Sequence, residues 1–153
     1  MTLPAAVPRP RTTQRLLIDN SVWQRLRQPQ VRAAMDAMMA TTSPWSILVC
    51  PPVVAEVGFS ARSGHDHQVL REHLAAFPEC ETHPSAALVL DIQGALWGAG
   101  LVRAVGASDT AIAAYAVVND ATVVHYDADF EHVARVWSGF RHRWIAPRGT
   151  LDH

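Results

Sequence analysis

Five acids in this sequence sit where carboxylates can be gathered into one site: Asp19, Glu56, Asp109, Asp127 and Asp129. Asp19 closes the short apolar run Leu16-Leu17-Ile18. Such a run reads as a buried parallel strand, and in open α/β sheets sites form beyond the carboxyl ends of strands. Asp19 is thus a metal ligand at that edge, or an acid that ends a strand and helps to cap the next helix. Glu56 lies in Pro52-Val53-Val54-Ala55-Glu56-Val57-Gly58-Phe59, where its helical neighbours Pro52, Val53 and Phe59 are apolar. A carboxylate in that company is costly unless it is protonated, bound to a cation or paired, for instance with Arg62. Asp109 opens a helical run, where the helix dipole favours an acid with no function at all. Asp127 and Asp129 follow the apolar stretch Val123-Val124 by a few residues. They point into one site or cap the next helix, and the segment lacks the Gly and closing Glu of an EF-hand loop.

Taken together, these acids carry more than each does alone. Asp19 and Asp127 follow strands, and Glu56 and Asp109 lie near helix starts, so all can share one edge of a sheet. Converging carboxylates do not all ionise without a cation. Oxygen-only ligation with no cysteine selects a hard ion, Mg2+ or Mn2+. Such ions activate water and stabilise charge on a phosphodiester under attack, so the chemistry indicated is hydrolysis of a phosphate ester.

The elements that must position these acids follow from the apolar spacing. Strands are expected at residues 16–19, 46–50, 81–83, 122–125 and 143–145. Asn20 and Ser21 are expected to cap a helix carrying Val22 and Leu26, and helix continues over 31–40. Further helices are expected at 52–62, 65–77, 85–102, 109–119 with Ser108 as N-cap, and 128–136. Strands alternating with helices argue for an α/β sandwich around a parallel sheet. Residues 1–14, rich in Pro, Thr and Arg, read as a flexible tail, and residues 15–150 as one domain.

Composition narrows the class. With 153 residues, 49% hydrophobic and 18% charged, the chain suits one folded domain. A net charge of -1 shows no general basic surface, so any nucleic-acid binding must come from a local patch or from metal ions. Cys50 and Cys80 fit no CxxC or zinc spacing and read as free thiols in a reducing cytosol. Residues 1–15 lack the apolar core of a secretory signal, and no stretch approaches the roughly 20 apolar residues of a membrane span. The expectation is a soluble, cytoplasmic protein with no membrane partner. A phosphoacceptor receiver domain also gathers acids at a sheet edge, but it needs a downstream lysine, and this chain has no lysine.

Four segments, in order, resemble the PIN-domain family, specifically the VapC-type toxins of bacterial type II toxin–antitoxin pairs. They are Leu17-Ile18-Asp19-Asn20-Ser21, Val54-Ala55-Glu56-Val57-Gly58-Phe59-Ser60-Ala61, Asp109-Thr110-Ala111-Ile112-Ala113-Ala114 and Val124-His125-Tyr126-Asp127-Ala128-Asp129-Phe130-Glu131. The resemblance runs from about residue 15 to 150. It implies a three-layer α/β/α sandwich with a central, mostly parallel sheet, and an RNA endonuclease dependent on Mg2+ or Mn2+. Asp19, Glu56 and Asp109 would be the core ligands, Asp127 would complete the set and Asp129 could substitute for it. Ser21 would support the ligand shell by a hydrogen bond. A homodimer, a cognate antitoxin partner and an RNA substrate, such as a transfer RNA, are likewise implied. The segment Gly106-Ala107-Ser108 is shorter than in many relatives, which bears on substrate choice. The rival reading is a catalytically silent RNA-binding or regulatory module on the same fold.

Other residues carry weaker signals. Arg62, Arg71 and Arg103 are either phosphate contacts or solvated surface. His65 and His67, two apart on a helix, diverge too far to share a metal. His125 either tunes the acidic site or is a structural strand-end histidine. The five tryptophans read as core or dimer packing, and the Leu88, Ile92, Ala95, Ala99 stripe as core or partner-facing.

Overall fold

In the computed structural model, which describes residues 14–152, the chain alternates strand and helix around one sheet. Strand β1 (Arg15–Ile18) leads into the four-residue helix α1 (Asn20–Trp23) and then α2 (Pro29–Thr41). Strand β2 (Ile47–Leu48) is followed by α3 (Pro51–Phe59), α4 (Gly64–Leu74), α5 (Ala86–Gly98) and α6 (Ala107–Val118). Strand β3 (Ala121–His125), α7 (Asp129–Val136) and β4 (Arg141–Trp144) complete the domain. The sheet order is β2-β1-β3-β4 and every pairing is parallel. Parallel strands need crossovers, and these place helices on both faces, giving the three layers expected. The tail expected at 1–14 lies outside the described residues except for Gln14.

Side-chain alternation divides the core between the two faces. Leu17 and Val123 join Ile112, Phe130 and Val133 on one side, and Leu16, Ile18 and Val124 join Val31, Met35 and Met38 on the other. Both faces of β1 and β3 are buried, which is why these strands read as unbroken apolar runs. The chain leaves β1 towards β2 on one flank and later returns to β3 on the other. The order therefore reverses between β1 and β3, and a crevice opens beyond their carboxyl ends.

Several boundaries differ from expectation. No strand forms at residues 81–83. A single bridge pairs Val49 with Glu79. The Asn119 side chain then takes both the Thr82 N–H (3.0 Å) and the Thr82 carbonyl (2.8 Å), so a side chain stands in for a strand partner. Helix α5 stops at Gly98 rather than running to residue 102, because Gly100 turns left-handed (φ 75°) and Leu101 N–H returns to the Leu96 carbonyl at 2.9 Å. Helix α6 begins earlier than expected, with Gly106 rather than Ser108 as its N-cap. Strand β4 starts at Arg141 and ends at Trp144, where 143–145 was expected. Trp23, Trp137 and Trp144 are half-buried, but Trp45 and Trp97 are exposed, so core packing accounts for only three of the five tryptophans.

Candidate metal centre

Asp19 lies one residue beyond β1, at the strand-order reversal, and is 3% exposed. Its N–H donates to the Val124 carbonyl of β3 at 2.9 Å, which carries the ladder one step past the strand. Its two carboxylate oxygens are used differently. Oδ2 accepts the Ser21 N–H at 2.9 Å, making Asp19 the N-cap of α1, a role expected of Asn20 or Ser21. The cap moves back one residue because the backbone at Asp19 is still extended. Oδ1 is buried with no hydrogen-bond partner. The capping reading of Asp19 is therefore met by Oδ2, while Oδ1 is left without a partner in the site.

Glu56 is half-buried on α3, between the buried Val53 and Val57. It makes no ion pair with Arg62: the two ion pairs among the described residues are Arg141–Asp120 and Arg148–Glu131. Asp109 is the third residue of α6 and half-buried. The turn after β3 brings up Asp127 and Asp129, also half-buried. Asp127 Oδ1 accepts the Asp129 N–H at 3.0 Å, and Asp129 Oδ2 accepts the Gly106 N–H at 3.4 Å, so the turn is tied to the start of α6.

The five acids fall into two sets that share one member. One oxygen each from Asp19, Glu56 and Asp109 lie within 4.8 Å of one another, and so do oxygens of Asp109, Asp127 and Asp129. Neither Asp127 nor Asp129 belongs to the first set, and both belong to the second. The electrostatic consequence falls on Asp109. Burial, then the charges of Asp19, Asp127 and Asp129, push its carboxyl up to about 8, so at neutral pH it holds a proton in the metal-free protein. Asp19 is also raised, chiefly by burial, against the lowering effect of the Ser21 hydroxyl and N–H. An all-oxygen donor set, an unpartnered buried carboxylate oxygen and an acid held protonated by its neighbours together fit a hard divalent cation.

Ser21 connects the two sides of the site. Its hydroxyl oxygen accepts the Tyr126 N–H at 2.8 Å, fastening the loop after β1 to the turn after β3. Arg62, Arg71 and Arg103 are all exposed, and Arg103 adopts a left-handed backbone (φ 59°). His67 packs edge-on against α3, with Nε2 3.2 Å from the position a Cβ on Gly58 would occupy. Among the described residues no metal-competent cluster includes a histidine.

Sequence reasoning missed one feature of this turn. His125 is fully buried, its Nε2 lies 2.8 Å from His142 Nδ1, and its Nδ1 accepts the Asp127 N–H at 3.0 Å. Burial and the neighbouring His142 push its pKa down to about 3, so it is neutral. No sequence spacing announces a partner 17 residues away on the next strand.

With this geometry in view, comparison with known proteins is informative. The family model for the PIN domain matches residues 16–136. Ribonuclease VapC51 of Mycobacterium tuberculosis is 36% identical over 137 residues, covering 89% of this chain and 96% of that protein. Ribonuclease VapC21 of the same species is 33% identical over 140 residues, covering 90% and 99%. Among solved structures, the DNA-bound VapBC of Salmonella typhimurium has a chain that superposes with a TM-score of 0.65 at 15% identity, covering 87% of this chain and 99% of that one. FitAcB of Neisseria gonorrhoeae gives 0.60 at 21% identity, covering 83% and 95%. These structural likenesses concern the fold.

Proposed function

This chain belongs to the PIN-domain family, and from that premise we propose that it is a metal-dependent endoribonuclease, the toxin of a toxin–antitoxin pair. The observation that carries the reading is the convergence of Asp19, Glu56, Asp109, Asp127 and Asp129 at the strand-order reversal, with Asp109 common to both carboxylate sets. Asp19, Glu56 and Asp109 are the core ligands. Asp127 completes the set, and Asp129 is its alternative. These carboxylates would hold a Mg2+ or Mn2+ ion, which would supply Lewis-acid activation of a water and charge stabilisation at the phosphate. The chain's own work is to hold these carboxylates against their mutual repulsion and to release the Asp109 proton on cation binding. Ser21 keeps Asp19 and the Tyr126 backbone in register.

Residues 15–150 form the ribonuclease domain. Its substrate is RNA in the cytoplasm, its inhibitor a cognate antitoxin, and its working state a homodimer. Among the described residues no helix is long and apolar enough to cross a membrane. The relatives named as ribonucleases support the activity, and a structural neighbour described as a toxin–antitoxin complex, from Klebsiella pneumoniae, supports the partner.

The test is incubation of the purified, antitoxin-free chain with total RNA and Mg2+ or Mn2+. Cleavage is expected, abolished by chelator and absent from folded Asp19→Ala and Asp109→Asn variants. Folded variants that cut as well as the parent overturn the site assignment. A parent that cuts nothing with either ion points to the silent binding module.

A further inference from the structure

Three backbone N–H groups of the turn after β3, those of Tyr126, Asp127 and Asp129, have fixed acceptors, and one of those acceptors is a histidine ring. Tyr126 N–H goes to the Ser21 hydroxyl oxygen (2.8 Å), Asp127 N–H to His125 Nδ1 (3.0 Å) and Asp129 N–H to Asp127 Oδ1 (3.0 Å). A backbone amide only donates, so His125 Nδ1 carries no proton. The remaining proton of the neutral ring is then on Nε2, which donates to His142 Nδ1 at 2.8 Å. One backbone amide thus sets the tautomer of two histidines in series.

The ring is also held in place. His125 packs against Phe130 and Trp144, each at a centroid distance of 4.9 Å, and has no exposed surface. A buried polar ring costs free energy unless both nitrogens are paired, and here both are. An apolar residue would fill this volume at lower cost but could not accept the Asp127 amide.

We propose that His125 is a positioning residue: backed by His142, its Nδ1 anchors the Asp127 amide and so holds the turn that presents Asp127 and Asp129 to Asp109. The inference rests on the ligand assignment proposed above for its effect on metal binding, but not for its effect on the turn. The bond spans two residues in the pattern of an Asx turn, in which an asparagine side chain accepts the N–H two residues on. His125→Asn therefore keeps the acceptor, and His125→Phe removes it while keeping an apolar ring.

Three measurements on the full chain test this. In the metal-free protein, imidazole 15N spectra are expected to show His125 as the Nε2–H tautomer; an Nδ1–H tautomer overturns the proposal. Asp127 amide exchange, also metal-free, should be about 10-fold or more faster in His125→Phe than in His125→Asn or the parent. Equal protection in all three overturns it. Mn2+ titration followed by calorimetry should show about 10-fold weaker binding for His125→Phe and near-parental binding for His125→Asn, the scale seen when a residue orienting a ligand is lost. Parental Mn2+ affinity in His125→Phe, or no advantage of Asn over Phe, also overturns it. An Asp109→Asn control separates the two claims. If that variant binds Mn2+ as the parent does, the ligand assignment fails, and the tautomer and exchange results still decide the role of His125.

Discussion

The two carboxylate sets that meet at Asp109 are built in opposite ways. Asp19, Glu56 and Asp109 come from β1, α3 and α6, three elements far apart in the chain, and Asp19 is almost wholly buried. Asp127 and Asp129 come from a single turn, half-exposed, and shape each other directly through the bond from Asp129 N–H to Asp127 Oδ1. The first set depends on the whole sheet for its geometry. The second depends on hydrogen bonds within the turn, from His125 and Asp127 itself, with Ser21 tying the turn to the loop after β1.

The largest effect should come from the residue common to both sets. Asp109→Asn is expected to lower RNA cleavage by more than about 100-fold, because it removes a carboxylate from each set. The same change removes the cost of protonating a carboxyl at this position when the metal-free chain folds at neutral pH. The metal-free variant should therefore be as stable as the parent or more so, by about 1 kcal/mol once solvent screening of half-exposed groups is allowed for. Cleavage rates and thermal unfolding in chelator check the two halves. A variant both inactive and markedly less stable would mean that Asp109 is a structural acid.

The contrast sharpens if the sets are broken separately. Asp19→Asn should cost about 100-fold in cleavage, whereas Asp127→Asn and Asp129→Asn should each cost less, with the larger loss at Asp127. If Asp129→Asn is the more damaging, the roles of the two turn acids are exchanged. Ser21→Ala cuts the tie between the sets and leaves the Tyr126 N–H without its acceptor, at a cost of about 1–2 kcal/mol measured by denaturant unfolding.

The smallest effects are in pH. Asp109 is raised to about 8 in the native state, so between about pH 4 and 8 the metal-free native protein binds more protons there than the unfolded chain. Its contribution to stability is full at the acid end of that window and is lost as pH rises through it. His125 has the opposite sign: lowered to about 3, it contributes stability above its unfolded value near 6.5 that is lost as pH falls towards 3. Metal-free stability should therefore peak between about pH 4 and 6.5. Saturating Mn2+ should flatten the alkaline fall, because bound cation takes the place of the Asp109 proton. Unfolding curves across pH, with and without Mn2+, read both limbs.

Much of this was legible in the sequence, for particular reasons. Strands β1 and β3 are buried on both faces, and that burial writes an apolar run that ends where the acids begin. Residues 81–83 misled because a short β-like segment can satisfy its backbone from a side chain, here Asn119, as well as from a strand. The start of α6 was misplaced because Gly106 caps it without a side-chain hydrogen bond, whereas Ser108 had the residue type of a cap.

The sequence alone settled which residues could carry the chemistry. Acid type, apolar flanks and the order of four short segments are local properties, and they survive without coordinates. Tertiary structure decided how those acids are used. It divided the two oxygens of Asp19 between a helix cap and an unpartnered site, placed Asp109 in both sets, and set His125 beneath Asp127. The grouping of the acids depends on contacts between residues as far apart in the chain as Asp19 and Asp109. Only the assembled parallel sheet, with its strand order reversing between β1 and β3, brings such residues together.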